Sequence, residues 1–132
     1  IRDDLWLKLW GNLAFNPLSV LSGASLGEMG ADPDLCARAR RLMAEGERVA
    51  RASGARLSVD LERRLQWAIQ VGDHRTSMLQ DFEAGRALET GSIVAAVSEL
   101  GRRAGVATPE LDAILAEVEA KVAERDRRAG RA

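Results

Sequence analysis

From Leu5 to Phe15 the chain reads LWLKLWGNLAF, and a helix drawn on that segment is apolar over almost its whole circumference. Leu5, Trp6, Leu7, Leu9, Trp10, Leu13, Ala14 and Phe15 leave no broad face for water, so such a helix has to be enclosed by other elements. Composition decides what encloses it. Ala occurs 22 times and Arg 17 times, whereas Val, Ile and Thr together number 16 and Tyr is absent. Helix formers dominate and strand formers are scarce. The expected fold is all-α, with about five to seven helices in a single domain over residues 1–132. A chain of 132 residues is long enough to hold one core of its own.

Cap chemistry marks the boundaries. Asp3 or Asp4 starts the first helix, which runs to about Leu21, and Gly23 to Gly30 reads as a small-residue turn region. Asp32 before Pro33 joins an N-cap to a proline at a position that needs no N–H. The second helix runs from there to about Ser53 and stops at Gly54. Ser58 opens a third helix to about Gly72, buried through Leu61, Leu65, Trp67 and Ile69. Thr90 or Ser92 opens a fourth, with Ile93, Val94, Val97 and Leu100 inside. Thr108 before Pro109 repeats the cap-then-proline signal for a last helix that buries Leu111, Ile114, Leu115, Val118 and Val122. On its solvent side, Glu117 with Lys121 and Glu124 with Arg128 have the spacing of i,i+4 pairs. The segment from Gly72 to Thr90 is polar and holds two internal glycines, the kind of connection that carries binding groups on a helical scaffold.

A net charge of −1 argues against a broad nucleic-acid footprint. The one cysteine, Cys36, excludes an intramolecular disulfide framework and reads as a core residue. His74, the one histidine, has no metal-ligand neighbours in sequence, so no metal is expected. No apolar run reaches the ~18 residues of a membrane span, and the reducing cytosol is the expected compartment.

Lys8, Asn12, Asn16 and Ser19 interrupt the apolar helix at i, i+4, i+8 and i+11. Four residues advance a helix by about 40° beyond a full turn, so these side chains form one narrow polar stripe, with Gly11 beside it leaving room for an approach. Two readings stand. In one, Lys8 snorkels to the surface and the asparagines cap neighbouring loops. In the other, the stripe lines a polar cleft, where a desolvated lysine has a depressed pKa and acts as general acid or base. Asn12 and Asn16 then offer neutral donors and acceptors to a hydroxyl, carbonyl or carboxylate. Asn16-Pro17 predicts a kink or restart of the helix.

The stretch Lys8 to Pro17, KLWGNLAFNP, resembles the opening of the C-terminal domain of the ketopantoate reductases (2-dehydropantoate 2-reductases). Thr76 to Glu89, TSMLQDFEAGRALE, resembles that family's second signature, and Glu99 to Pro109, ELGRRAGVATP, its closing helix-turn-helix. The three blocks stand in the family's order across nearly the whole chain. The resemblance implies a helical domain like the C-terminal domain of 6-phosphogluconate dehydrogenase. It implies the substrate-binding and catalytic half of an NADPH-dependent 2-oxo-acid reductase, turning 2-dehydropantoate into pantoate on the route to pantothenate and coenzyme A. NADP(H) would be held mainly by an N-terminal Rossmann domain. No G-x-G-x-x-G occurs in this sequence, which opens on Ile1, so the expectation is that such a domain precedes it and that this piece is inactive alone.

By the same resemblance Lys8 falls on the family's catalytic lysine and Glu89 on its active-site glutamate. Asn12 and Asn16 fall on its substrate-contacting asparagines, and Ser77 on its substrate-binding serine. Plainer roles stand beside two of these: Ser77 with Gln80 has the spacing of a capping box, and Glu89 suits the start of the fourth helix. Where the family commonly carries isoleucine-aspartate and then asparagine-glycine after that glutamate, this chain reads Thr90, Gly91, Ser92, Ile93, Val94, Ala95. The acidic position is gone, which bears on the identity of the oxo acid. Expected partners are a small 2-oxo acid, the chain's own Rossmann domain and a second copy of the chain, with neither nucleic acid nor membrane. The rival reading is a helical dimerisation or ligand-binding module, of a relative that acts on another 2-oxo acid or has lost catalysis.

Overall fold

A computed structural model describes residues 3–88 and 90–130, and among these there are seven helices and no strand. They are α1 (Asp3–Ser22), α2 (Leu26–Ala31), α3 (Pro33–Ala52), α4 (Leu61–Gln70), α5 (Ser77–Glu83), α6 (Thr90–Ala104) and α7 (Pro109–Arg128). The all-α expectation holds, and α1 is the enclosed element, with the other six helices all packed against it. Trp6, Trp10, Leu13, Ala14, Phe15, Leu18 and Val20 are all buried. The Trp10 indole N–H donates to the Met43 carbonyl on α3 at 2.7 Å, satisfying a group that would be costly to bury unpaired.

Contact between α1 and α3 is close at Gly46, where an added Cβ would stand 2.8 Å from Leu13 Cδ2. A Gly46→Ala substitution gains about 1 kcal/mol of helix propensity but forces the two helices apart, at a cost of about 1–3 kcal/mol. The expected result is a net loss of stability of about 1 kcal/mol, read as a lowered urea midpoint. A raised midpoint would show that the helices separate freely here.

Several boundaries differ from the sequence expectation. Of the kink or restart predicted at Asn16-Pro17, the restart does not occur, because α1 is continuous through Pro17. Burial of the whole run from Leu13 to Val20 holds the helix across the one hydrogen bond that proline removes. The expected turn region from Gly23 to Gly30 contains α2, started by a reciprocal capping box. Ser25 Oγ accepts from the Glu28 amide at 3.2 Å and Glu28 Oε1 accepts from the Ser25 amide at 2.9 Å. These bonds hold the Glu28 carboxyl below the usual carboxylate range.

The third expected helix starts later than Ser58, at Leu61, because Asp60 is the residue whose carboxylate accepts from the Arg63 amide at 2.8 Å. Trp67 is 43% exposed rather than core. Asp32 caps α3 as expected.

On α7, Glu124 meets Arg128 as predicted, but the Glu117–Lys121 pair does not form. Glu117 pairs with Arg38 of α3, which lowers its pKa. Lys121 Nζ instead donates to the carbonyls of Val20 and Leu21 at 3.0 and 3.1 Å. A cation there satisfies carbonyls at the C-terminal end of α1, where the helix dipole favours positive charge.

Candidate active site

The polar stripe of α1 ends on a buried lock. Ser19 is fully buried and its hydroxyl donates to the Asn16 carbonyl at 2.7 Å. Its one proton is spent there, so Thr76 donates to Ser19 Oγ, across 2.5 Å. Thr76 Oγ1 in turn accepts from the Leu79 amide at 3.1 Å, as the N-cap of α5. This chain of bonds seats the first turn of α5 against α1. It also settles the capping question at the next residue: Thr76 is the cap, and the exposed Ser77 hydroxyl is left to face a groove.

That groove has a volume of about 590 Å³, and Lys8, Gly11, Asn12, Asn16, Arg64 and Ser77 line it. Four of the five residues proposed for the site from sequence therefore stand around one cavity. The fifth, Glu89, lies outside the described residues. Asn16 is 8% exposed, Asn12 is half-buried, and Ser77 and Lys8 are exposed. Among the described residues, neither carboxamide is hydrogen-bonded to a protein group, and the Lys8 ammonium has no acidic partner.

The expectation of an enclosed, desolvated Lys8 is not met. Leu5 beside it is 41% exposed and Leu7 and Leu9 are only partly covered. The first two turns of α1 stand at the edge of the core, so the apolar collar drawn from sequence is complete from Trp10 onward but open around Lys8. The stripe combines both readings: its lysine reaches solvent, and it does so at the mouth of a polar groove.

Arg64, on α4, was not singled out by the sequence. Its Nε donates to the Leu7 carbonyl at 2.9 Å, and its Nη2 lies 3.5 Å from the Lys8 carbonyl. The guanidinium rests directly over Gly11, where any Cβ would overlap it. Burial pushes its pKa down. Gly11 announced a close approach from sequence, but nothing there identified which of 17 arginines makes it. His74, Trp67, Val71 and Asp4 also border the groove.

A second, larger depression of about 1010 Å³ runs along α7 beside residues 85–88. Leu88, Leu115, Val118 and Val122 make it mostly apolar, and among the described residues it holds none of those proposed for chemistry. No helix among the described residues is long and apolar enough to cross a membrane.

The ketopantoate reductase PanE/ApbA C-terminal family matches residues 1–122. The 2-dehydropantoate 2-reductase of Mesorhizobium japonicum is 46% identical over 125 residues, which is 95% of this chain and 38% of that protein. The crystal structure of 2-dehydropantoate 2-reductase from Methylococcus capsulatus superposes with a TM-score of 0.84 at 34% identity, over 93% of this chain and 40% of that one. The ternary structure of D-mandelate dehydrogenase with NADH and anilino(oxo)acetate superposes with a TM-score of 0.83 at 25% identity, over 92% of this chain and 41% of that one. The chain thus spans about two-fifths of the length of each of these proteins.

Proposed function

The chain belongs to the ketopantoate reductase C-terminal family, and from that premise we propose that it is the substrate-binding and catalytic half of an NADPH-dependent 2-oxo-acid reductase. One observation carries the reading: Lys8, Asn12, Asn16 and Ser77 line a single groove, with the ammonium and both carboxamides left unspent by the protein. Among the described residues no buried side-chain polar atom lacks a partner, so the unpaired carboxamide atoms of Asn12 and Asn16 are accessible and available to a ligand. A small oxo acid supplies carbonyl and carboxylate acceptors that suit these donors.

The groove's donors fit the oxo acid, and Lys8 stands exposed on its lining. The reduced nicotinamide, when bound, supplies the hydride. Lys8 holds a proton beside the carbonyl oxygen and delivers it as negative charge builds there, so that the ketone becomes a hydroxyl. Asn12, Asn16 and Ser77 hold the substrate's other oxygens and fix the carbonyl in one orientation, which turns an encounter into a positioned reaction. Glu89, by the family's motif, is proposed as the acid of the same site.

2-Dehydropantoate is the first substrate to test. A wider 2-oxo-acid range is the second reading. It is supported by the run Thr90 to Ala95, which lacks the family's acidic position, and by the likeness to a dehydrogenase holding anilino(oxo)acetate. NADPH oxidation by the full-length protein, measured against 2-dehydropantoate and then a panel of 2-oxo acids, separates the two. The 132-residue chain alone should show no turnover but should bind pantoate in a calorimeter. Absence of turnover with every oxo acid would overturn the enzymatic reading.

A further inference from the structure

We propose that Arg64 is the residue that anchors the substrate's carboxylate, giving this groove a second fixed cation beside Lys8. The inference rests on the oxo-acid reading of the groove and adds the residue that would select the acid. Its starting point is an arginine seated by the backbone rather than by an acid. Nε bonds to the Leu7 carbonyl, with Nη2 at the limit of reach of the Lys8 carbonyl. Three of the five guanidinium N–H donors are left over. Among the described residues, no carboxylate pairs with Arg64, although eleven arginine–carboxylate pairs form elsewhere among those same residues. A partly desolvated cation held in place without a counter-ion is costly by itself and favourable once an anion arrives.

Position makes the anion specific. The guanidinium lies over Gly11, one helical turn beyond Lys8 and next to Asn12. A 2-oxo acid carries its carboxylate on the carbon bonded to the ketone, so the group that protonates the ketone and the group that binds the carboxylate must be neighbours. Lys8 and Arg64 line the same groove from two different helices, with Arg64 Nη2 3.5 Å from the Lys8 carbonyl. The planar fork of arginine matches a carboxylate with two parallel bonds, which a lysine cannot reproduce. Gly11 is then part of the device, because only a residue without Cβ leaves the seat empty. Asp4 and His74 border the same groove, and neither fills that seat.

The test uses the full-length protein and two ligand pairs in which ring closure removes the carboxylate together with the terminal hydroxyl: 2-dehydropantoate against its lactone for turnover, and pantoate against pantolactone for calorimetric binding. Arg64→Met is expected to raise KM for the acid by about 10- to 100-fold with kcat changed only a few-fold, and to leave the lactone unaffected. Arg64→Lys should recover part of the loss. Gly11→Ala keeps the charge but pushes the flexible guanidinium off its seat, and should reproduce the Arg64→Met pattern. A variant that merely loosened α4 against α1 would weaken acid and lactone alike. Equal losses on both ligands, or an unchanged acid KM, overturn the proposal. If the protein turns over no oxo acid, the reductase reading fails, and the pantoate arm still decides this one. A tenfold weaker affinity of Arg64→Met for pantoate supports it, and equal affinity, or no binding of pantoate by the unaltered protein, overturns it.

Discussion

Replacing Lys8 with alanine is expected to lower kcat of the full-length enzyme by about 10²–10⁴-fold, the usual contribution of a positioned general acid. Pantoate affinity should stay within a few-fold, because Asn12, Asn16 and Ser77 line the groove independently of the lysine. A loss confined to kcat identifies an interaction made as the alkoxide develops rather than in the bound ground state. The exposure of Lys8 adds a second readout. The alanine variant leaves a gap at the groove's mouth that a small primary amine can enter from solvent. Added methylamine should therefore restore part of kcat in a concentration-dependent way. A full kcat in the alanine variant removes Lys8 from the chemistry. A loss shared equally between kcat and pantoate affinity would make it a binding residue only.

What the sequence made legible follows from how local each signal is. Helix starts that rest on one residue and its next three amides were readable, as at Asp32-Pro33. Ser25 and Glu28 carry the same local chemistry, yet the glycines at 23, 27 and 30 masked it as a turn. The stripe from Lys8 to Asn16 was readable because helical geometry alone puts those positions on one side. Three features were not. Exposure of Lys8 depends on where the core ends, which no periodicity reports. Arg64 and Lys8 lie 56 positions apart, and their meeting at Gly11 is a product of how α4 crosses α1. The N-terminus of α7 shows the same limit most sharply. Thr108-Pro109 signals the correct boundary, but the Thr108 side chain makes no cap hydrogen bond. It bonds instead to Ser98 and Asp112, at 3.2 Å each.

The cap of α7 is Glu45, from the middle of α3, and its removal is expected to cost about 3 kcal/mol of stability, from the two charged hydrogen bonds it makes. Glu45 is 2% exposed, on a helix face otherwise made of Leu42, Met43, Val49 and Ala50. Its two oxygens accept from the amides of Glu110 and Leu111, each at 2.8 Å. Those are first-turn N–H groups that have no partner within the helix, and a carboxylate opposes the positive end of the helix dipole. Glu45→Ala strands both amides, and Leu111 is fully buried, so water replaces the lost acceptor poorly. Glu45→Gln keeps one good acceptor and turns an N–H₂ towards the other amide, which should cost roughly half as much. Glu47→Ala is the control: Glu47 pairs with Arg51 one turn along the same helix, partly in solvent, and should change stability by less than about 0.5 kcal/mol. Urea unfolding of the chain, followed by helical circular dichroism, should order the midpoints as parent, Glu47→Ala, Glu45→Gln, Glu45→Ala at constant slope. Equal midpoints for the two alanine variants would mean that the first turn of α7 finds other acceptors. The ordering would instead place the link between α3 and α7 among the contacts that hold α1 enclosed, since the other end of α7 binds the last carbonyls of α1 through Lys121.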